Sequence, residues 1–360
     1  MASFDRRATR PVYVGGVGIG GNNPIAIQSM TNTDTHDIDA TYDQVMRLSE
    51  AGCDIVRITA PDIKAVDTFG ALISRGVKIP LVADIHFNHE IAIAAAESGV
   101  SKIRINPGNI GSDDKVFKVV EACRKNAVPI RIGVNSGSLE KHILEKYGSP
   151  TPEALAESAM YHASLLERLD FSDIIISVKA SSVPDMIMAN RILAERTQYP
   201  LHLGVTEAGG GTDAIVKSSI GIGTLLSEGI GDTVRVSLTD DPVEEIYAAK
   251  QILRAVGLSK DPGLDIVACP TCGRTKINLI SLLSEFKSRA RLEGIDKLNI
   301  KVALMGCVVN GPGEAREADL GIAGGNGEGL LFKRGEILRK VDEDKLIDEL
   351  IKEIKNEYKI

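Results

Sequence analysis

Between residues 24 and 256 the chain repeats one unit eight times: a short apolar run rich in β-branched residues, a loop, and a stretch whose apolar positions recur at helical spacing. The strand-like runs are residues 26–29, 54–59, 80–84, 102–106, 130–134, 174–178, 201–205 and 233–238. The helical stretches fall near 40–51, 63–75, 89–98, 114–126, 152–169, 183–198, 212–228 and 243–256. Strands that alternate with helices must run parallel, because each crossover returns the chain to the same edge. Eight such strands is the number that closes a (β/α)8 ring, so the alternation predicts a TIM-type barrel over residues 1–258. An open doubly wound sheet is the alternative. Gly16-Val17-Gly18-Ile19-Gly20-Gly21 matches a dinucleotide fingerprint in letters but runs into Asn22-Asn23-Pro24 and a strand instead of opening a helix. A glycine-rich β-hairpin ahead of the barrel fits it better.

The pattern changes after a turn-rich joint over residues 259–266. Residues 267–360 read as a smaller α+β domain, entered by a strand at 264–268. A helix follows over 276–293, then a strand over 298–305, two short strands near 319–323 and 329–333, and a charged amphipathic helix over 343–358. No apolar run approaches the ~20 residues of a membrane span, and residues 1–7 have no apolar core after their charges, which leads us to expect a cytoplasmic protein. A net charge of -7 argues against a nucleic-acid surface, so any cationic site must be local.

Barrel chemistry sits where strands end, and these strand ends are polar. In order they offer Arg57, Asp84 and His86, Arg104 and Asn106, Arg131 and Asn135, Lys179, His202 and Glu207, and Arg235 and Ser237. One cation in such a place is an ordinary ion pair. Late cations on five of eight strands would repel one another unless an anion neutralised them, which implies a phosphate or diphosphate ligand. Glu207, set beside Gly209-Gly210-Gly211, suits proton transfer rather than phosphate binding.

Five cysteines in a chain of this length favour metal or thiol chemistry over a disulfide framework. Cys53 and Cys123 lie in apolar patterns and read as small buried hydrophobes. Cys269-Pro-Thr-Cys272 and Cys307 are placed to share one metal centre. A structural zinc would need a fourth soft or nitrogen ligand, and all six histidines lie in the barrel half. A redox pair would leave Cys307 without a role. Three thiolates with a weaker fourth ligand suit an iron-sulfur cluster, and Glu314 is the nearest candidate for that position.

The motifs ADIHF, RINPGN, RIGVNSGSL, SVKAS, GVTEAG, CPTCGR and MGCVVNGPGEA, spread over essentially the whole chain, resemble those of the bacterial 4-hydroxy-3-methylbut-2-enyl diphosphate synthases of the methylerythritol phosphate isoprenoid pathway. The match is to their two-domain form. The resemblance implies reductive ring opening of 2-C-methyl-D-erythritol 2,4-cyclodiphosphate with loss of a hydroxyl as water, using two electrons from flavodoxin or ferredoxin. It also implies a 4Fe-4S cluster on Cys269, Cys272, Cys307 and Glu314, diphosphate binding by Arg57, Arg104, Arg131 and Lys179, acid/base work by Glu207, and a substrate contact by Asn310. His86, Asn135, His202, Arg235 and Ser237 complete the expected substrate site. The implied assembly is a homodimer in which one subunit's cluster domain closes over the other's barrel. The rival reading is a lyase or aldolase acting on a sugar phosphate through Lys179, with a structural zinc in the tail.

Overall fold

The structure, a computed structural model, describes residues 5–260, 263–308 and 315–360. The chain divides into two compact units, Met1–Lys260 and Asp261–Ile360. In the first, β1 (Val12–Val14) and β2 (Val17–Ile19) form an antiparallel hairpin, and Gly15 makes its turn with φ +57°. Eight parallel strands follow: β3 (Ala26–Met30), β4 (Ile55–Thr59), β5 (Leu81–Asp84), β6 (Lys102–Ile105), β7 (Ile130–Asn135), β8 (Ile174–Lys179), β9 (His202–Leu203) and β10 (Thr233–Val234). Their order is β8-β7-β6-β5-β4-β3-β10-β9, and a parallel bridge from Ile176 to Leu201 joins the two ends into a ring.

Ten helices intervene: α1 (Ile38–Glu50), α2 (Ala65–Ser74), α3 (His89–Glu97), α4 (Pro107–Ile110), α5 (Asp113–Lys125), α6 (Lys141–Tyr147), α7 (Pro152–Glu167), α8 (Val183–Arg196), α9 (Gly211–Ser227) and α10 (Pro242–Ala255). Several begin where a short polar side chain takes up an otherwise orphan backbone N–H. Asp37 caps α1, Asn88 caps α3, Thr151 caps α7, Ser182 caps α8 and Asp241 caps α10.

Strand geometry sends alternate side chains to opposite faces, and this ring sorts them by chemistry. Outward positions such as Val56, Ile58, Ile103, Ile105, Ile130, Ile132, Val134, Ile174, Ile176 and Val178 join one core with the helices. Inward positions near the strand starts, Ala26, Ile55, Val82 and Ile175, pack on Val12, Val14 and Ile19 of the hairpin. The hairpin therefore floors the barrel at its amino-terminal end. Farther along, the inward positions turn polar.

The second unit is a five-stranded sheet in the order β11 (Leu264–Ala268), β12 (Ile300–Met305), β13 (Leu320–Gly324), β14 (Glu328–Lys333) and β15 (Glu336–Asp342). β11, β12 and β13 run parallel and the last two antiparallel. Helix α11 (Leu279–Leu292) and the C-terminal helix Leu346–Tyr358 bury Phe286, Ala290, Leu350, Ile351 and Ile354. Among the described residues no helix is long and apolar enough to cross a membrane.

Sequence reading and structure differ at three places. β9 and β10 are two-residue strands, shorter than the runs at 201–205 and 233–238, although Arg235 N still bonds Leu203 O at 2.9 Å beyond them. The short helices α4 and α6 have no apolar periodicity long enough to announce them. β15 is exposed at six of its seven positions, so it shows no alternation.

Ile19 is fully buried in the floor. Ile19→Ala should lower the unfolding free energy by about 2–4 kcal/mol, read by denaturant titration, while anion binding at the other end is unchanged. Lost anion binding would show that the floor does more than support.

Candidate active site

The structure brings Arg57, His86, Arg104, Arg131, Asn135, Lys179 and Arg235 together around one cavity of ≈ 480 Å³, open mouth included. Asp84, Gly133, Ser177 and Thr206 complete its wall. Parity explains the gathering: Arg57, Asp84, Arg104, Arg131 and Lys179 each sit at an inward position whose strand neighbours point into the apolar outer core.

The cations are crowded. Room for them comes from side chains that are absent: a Cβ on Gly133 would fall 2.2 Å from Arg104 Nε, and one on Gly204 would fall 3.0 Å from Lys179 Nζ. Two carboxylates offset part of the charge. Asp84 accepts from Arg104 Nη1 at 3.1 Å and lies 3.8 Å from Arg57 Nε. Burial would push the Asp84 carboxyl up, but Arg57 and Arg104 outweigh it and hold it well below the usual carboxylate range. Glu245, reaching in from α10, grips Arg235 in a two-pronged pair at 3.1 and 3.3 Å. Its remaining acceptor capacity takes Ser29 Oγ at 2.7 Å and the Leu238 N–H at 3.2 Å.

Five cations against two carboxylates leave three positive charges in excess when Lys179 is protonated. Arg131 carries the sharpest deficit. It is 1% exposed, pairs with no carboxylate among the described residues, and has neither Nε nor Nη1 hydrogen-bonded. Lys179, 7% exposed, also has no ion pair there; burial first, then Arg235, Arg57 and Arg131, drives its ammonium well below the usual lysine range. Burial likewise brings the Arg57 guanidinium down to about 10, still charged at neutral pH. A buried unpaired guanidinium costs several kcal/mol, so a site holding these groups is built for a small polyanion.

Three expected residues stand apart from the cavity. His202, in β9, is one pleat too deep: fully buried, its Nδ1 is 3.4 Å from Thr233 Oγ1, and burial pushes it well below its usual range. The inward position at cavity level on that segment is Gly204. Ser237 is half-buried where the chain turns towards α10. Glu207 is exposed and holds a left-handed backbone, φ +53°, a conformation that strains a residue with a side chain. Reading missed Glu245, which sits on a helix start where acids are ordinary, and Lys102. The latter is completely buried one pleat below Arg104, donating to Gln28 Oε1 at 3.2 Å. A charged inward position at the head of an apolar strand was its only signal.

In the second unit, parallel pairing of Ala268 with Leu304 sets Cys269 and Cys307 just beyond the same ends of neighbouring strands. Cys269 Sγ accepts the Gly306 N–H at 3.2 Å, which links the two cysteine loops. Thr271, between Cys269 and Cys272, takes φ +59°. Cys272 is exposed, and the backbone N–H and side chain of Arg274 lower its thiol from the usual value. Cys53 and Cys123, by contrast, are buried, and desolvation pushes each up to about 12. Asn310 and Glu314 lie outside the described residues. Among the described residues no three His, Cys, Asp or Glu side chains are gathered closely enough to hold a metal. Free thiols at adjacent strand ends, one of them accepting a backbone N–H, are a donor set of the chemistry an iron-sulfur group takes.

Replacing Arg131 by Met should remove an unpaired buried charge. We expect Arg131→Met to unfold at a higher temperature than the wild type without ligand, and to lose the rise that pyrophosphate gives the wild type, both read by thermal unfolding. A variant still stabilised fully by pyrophosphate would show that Arg131 is not an anion ligand.

Comparison with known proteins places these units. The profile of the GcpE TIM-barrel domain matches residues 9–250, and that of the GcpE protein C-terminal domain matches residues 265–356. A 4-hydroxy-3-methylbut-2-en-1-yl diphosphate synthase (flavodoxin) of Clostridium perfringens is 58% identical over 97% of this chain and 99% of its own length. The protein of the same name from Fusobacterium nucleatum is 57% identical over 97% of each. Among solved structures, the spore coat polysaccharide biosynthesis protein spsE of Bacillus subtilis shares the barrel fold alone, with a TM-score of 0.50 and 10% identity over 70% of this chain and 75% of that one. Matched in both units and along nearly its full length, the chain belongs to the GcpE family, the family of its relatives named 4-hydroxy-3-methylbut-2-en-1-yl diphosphate synthases.

Proposed function

We propose that this enzyme opens 2-C-methyl-D-erythritol 2,4-cyclodiphosphate reductively, giving (E)-4-hydroxy-3-methylbut-2-enyl diphosphate and water. Two electrons and a proton enter, one carbon–oxygen bond to the diphosphate breaks, and one hydroxyl leaves. The observation that carries the reading is Arg131, buried without a carboxylate in a pocket of excess positive charge, in a chain whose relatives carry this activity in their names. A sugar-phosphate lyase has no such support.

Arg57, Arg104, Arg131, Lys179 and Arg235 would hold the diphosphate and, by neutralising it, favour its departure as a leaving group. Asp84 and Glu245 keep Arg104 and Arg235 aimed while ligand comes and goes. Glu207, at the solvent edge of the β9 loop, would serve as the acid/base group of the reaction. A 4Fe-4S cluster on Cys269, Cys272, Cys307 and Glu314 would supply the electrons singly, fed by flavodoxin, the donor for which the relatives are named, or by ferredoxin. We further propose a cytoplasmic homodimer, one subunit's cluster domain serving its partner's barrel.

Two variants separate the halves of this reading. Cys307→Ser should abolish both the visible colour of anaerobically prepared protein and its turnover, while pyrophosphate binding persists. A colourless, fully active wild type containing only zinc would remove the cluster. Glu207→Gln should lower kcat at least roughly 100-fold with KM and iron content little changed; normal turnover would take the proton-transfer role away from it.

A further inference from the structure

A second cavity of ≈ 350 Å³ adjoins the cationic one and shares His86, Arg104, Gly133 and Asn135 with it. What it adds is uncharged: Ile85, Phe87 and the carboxamides of Asn106 and Asn109. Asn106 is 3% exposed, yet neither its Oδ1 nor its Nδ2 has a hydrogen-bond partner among the described residues. A buried carboxamide with a donor and an acceptor both unspent suits a hydroxyl, which can satisfy either.

Both asparagines ride on the loop after β6, Asn106 just ahead of α4 and Asn109 within it. A single turn without a side-chain cap does not hold its own shape in water. It is held instead by His162, from the middle of α7, whose Nδ1 accepts the Gly108 N–H at 3.2 Å. Since Nδ1 accepts, the neutral ring carries its proton on Nε2, and that N–H donates to Glu140. Glu140 precedes α6, at the far end of the loop that Asn135 begins. Burial would raise the Glu140 carboxyl, but its hydrogen bonds, the one from His162 foremost, lower it to about 2, so the acceptor is a carboxylate at working pH. His162 is fully buried, and a Cβ on Gly108 would fall 2.5 Å from its Cε1, so glycine is what admits the ring. α6 is pinned to α7 in turn by Tyr147, whose hydroxyl donates to Glu157 at 2.7 Å.

The geometry points to His162 and Glu140 as positioning residues that tie the β6 loop to the β7 loop and so set Asn106 and Asn109 against the hydroxyl-bearing carbon skeleton of the substrate. The inference rests on the cyclodiphosphate reading. It divides recognition in two: cations hold the phosphates, and a ring that never touches substrate orders the amides that recognise the rest.

The test is calorimetric titration of the full chain, as wild type, His162→Ala, Glu140→Ala and Glu140→Gln, with the cyclodiphosphate and separately with pyrophosphate. In both alanine variants we expect cyclodiphosphate Kd to rise roughly 10-fold and pyrophosphate Kd to move less than about 2-fold. Glu140→Gln, whose amide oxygen still accepts from the ring, should restore most of the affinity. Should His162→Ala fail to fold, the partly exposed Glu140 carries the test. Wild-type affinity in Glu140→Ala, or an equal loss for both ligands, overturns the positioning role alone. A wild type that binds pyrophosphate but not the cyclodiphosphate overturns the substrate assignment and this inference with it.

Discussion

A barrel interior that holds more positive charge than it can pair is the constraint around which this molecule is arranged. Each unpaired buried ion costs several kcal/mol, against a whole-domain stability of roughly 5–15 kcal/mol. Five cations around one cavity could not be carried without relief, and some of it is visible. Asp84 and Glu245 take Arg104, Arg57 and Arg235 into ion pairs. Burial drives the ammonium groups of Lys102 and Lys179 well below the usual lysine range. Arg131 has no carboxylate partner among the described residues, and its buried Nε and Nη1 have no hydrogen bond there. The fold has already met the cost of collecting and aiming these groups, so an arriving anion meets donors that need no reorganisation.

The same period-two alternation that makes the ring stable also makes it chemically useful. Outward residues such as Ile103, Ile132 and Val178 supply the apolar surface that helices cover, and their neighbours Arg104, Arg131 and Lys179 are thereby forced inward whatever their charge. A burial force strong enough to fix strand register can thus hold cations where they would not go alone.

That logic sets how much was legible in sequence. Arg57, Arg104, Arg131, Lys179 and Arg235 stood out as charges inside β-branched runs, and the eight-unit alternation gave the barrel. Depth was harder to read. His202 and Gly204 share one parity and differ by one pleat, and only the stagger of neighbouring strands decides which reaches the cavity. Glu245 was invisible because its partner lies across the barrel wall, a relation that no local spacing encodes. α4 depends on a histidine more than fifty residues away in sequence, so its own residues give no helix signal. In the second unit the two cysteine loops were readable as partners, but the pairing of β11 with β12 that makes them neighbours is a tertiary fact.

The hairpin floor has a consequence for traffic. With Val12, Val14 and Ile19 packed against Ala26, Ile55, Val82 and Ile175, the barrel is closed at its amino-terminal end among the described residues, and the cavity opens at the other. Whatever enters, and both molecules that leave, must use that doorway in turn. Anything that covers it to keep solvent out during turnover must also step aside before the next cycle, so the pace of uncovering sets a ceiling on throughput that no refinement of the cavity's lining can raise.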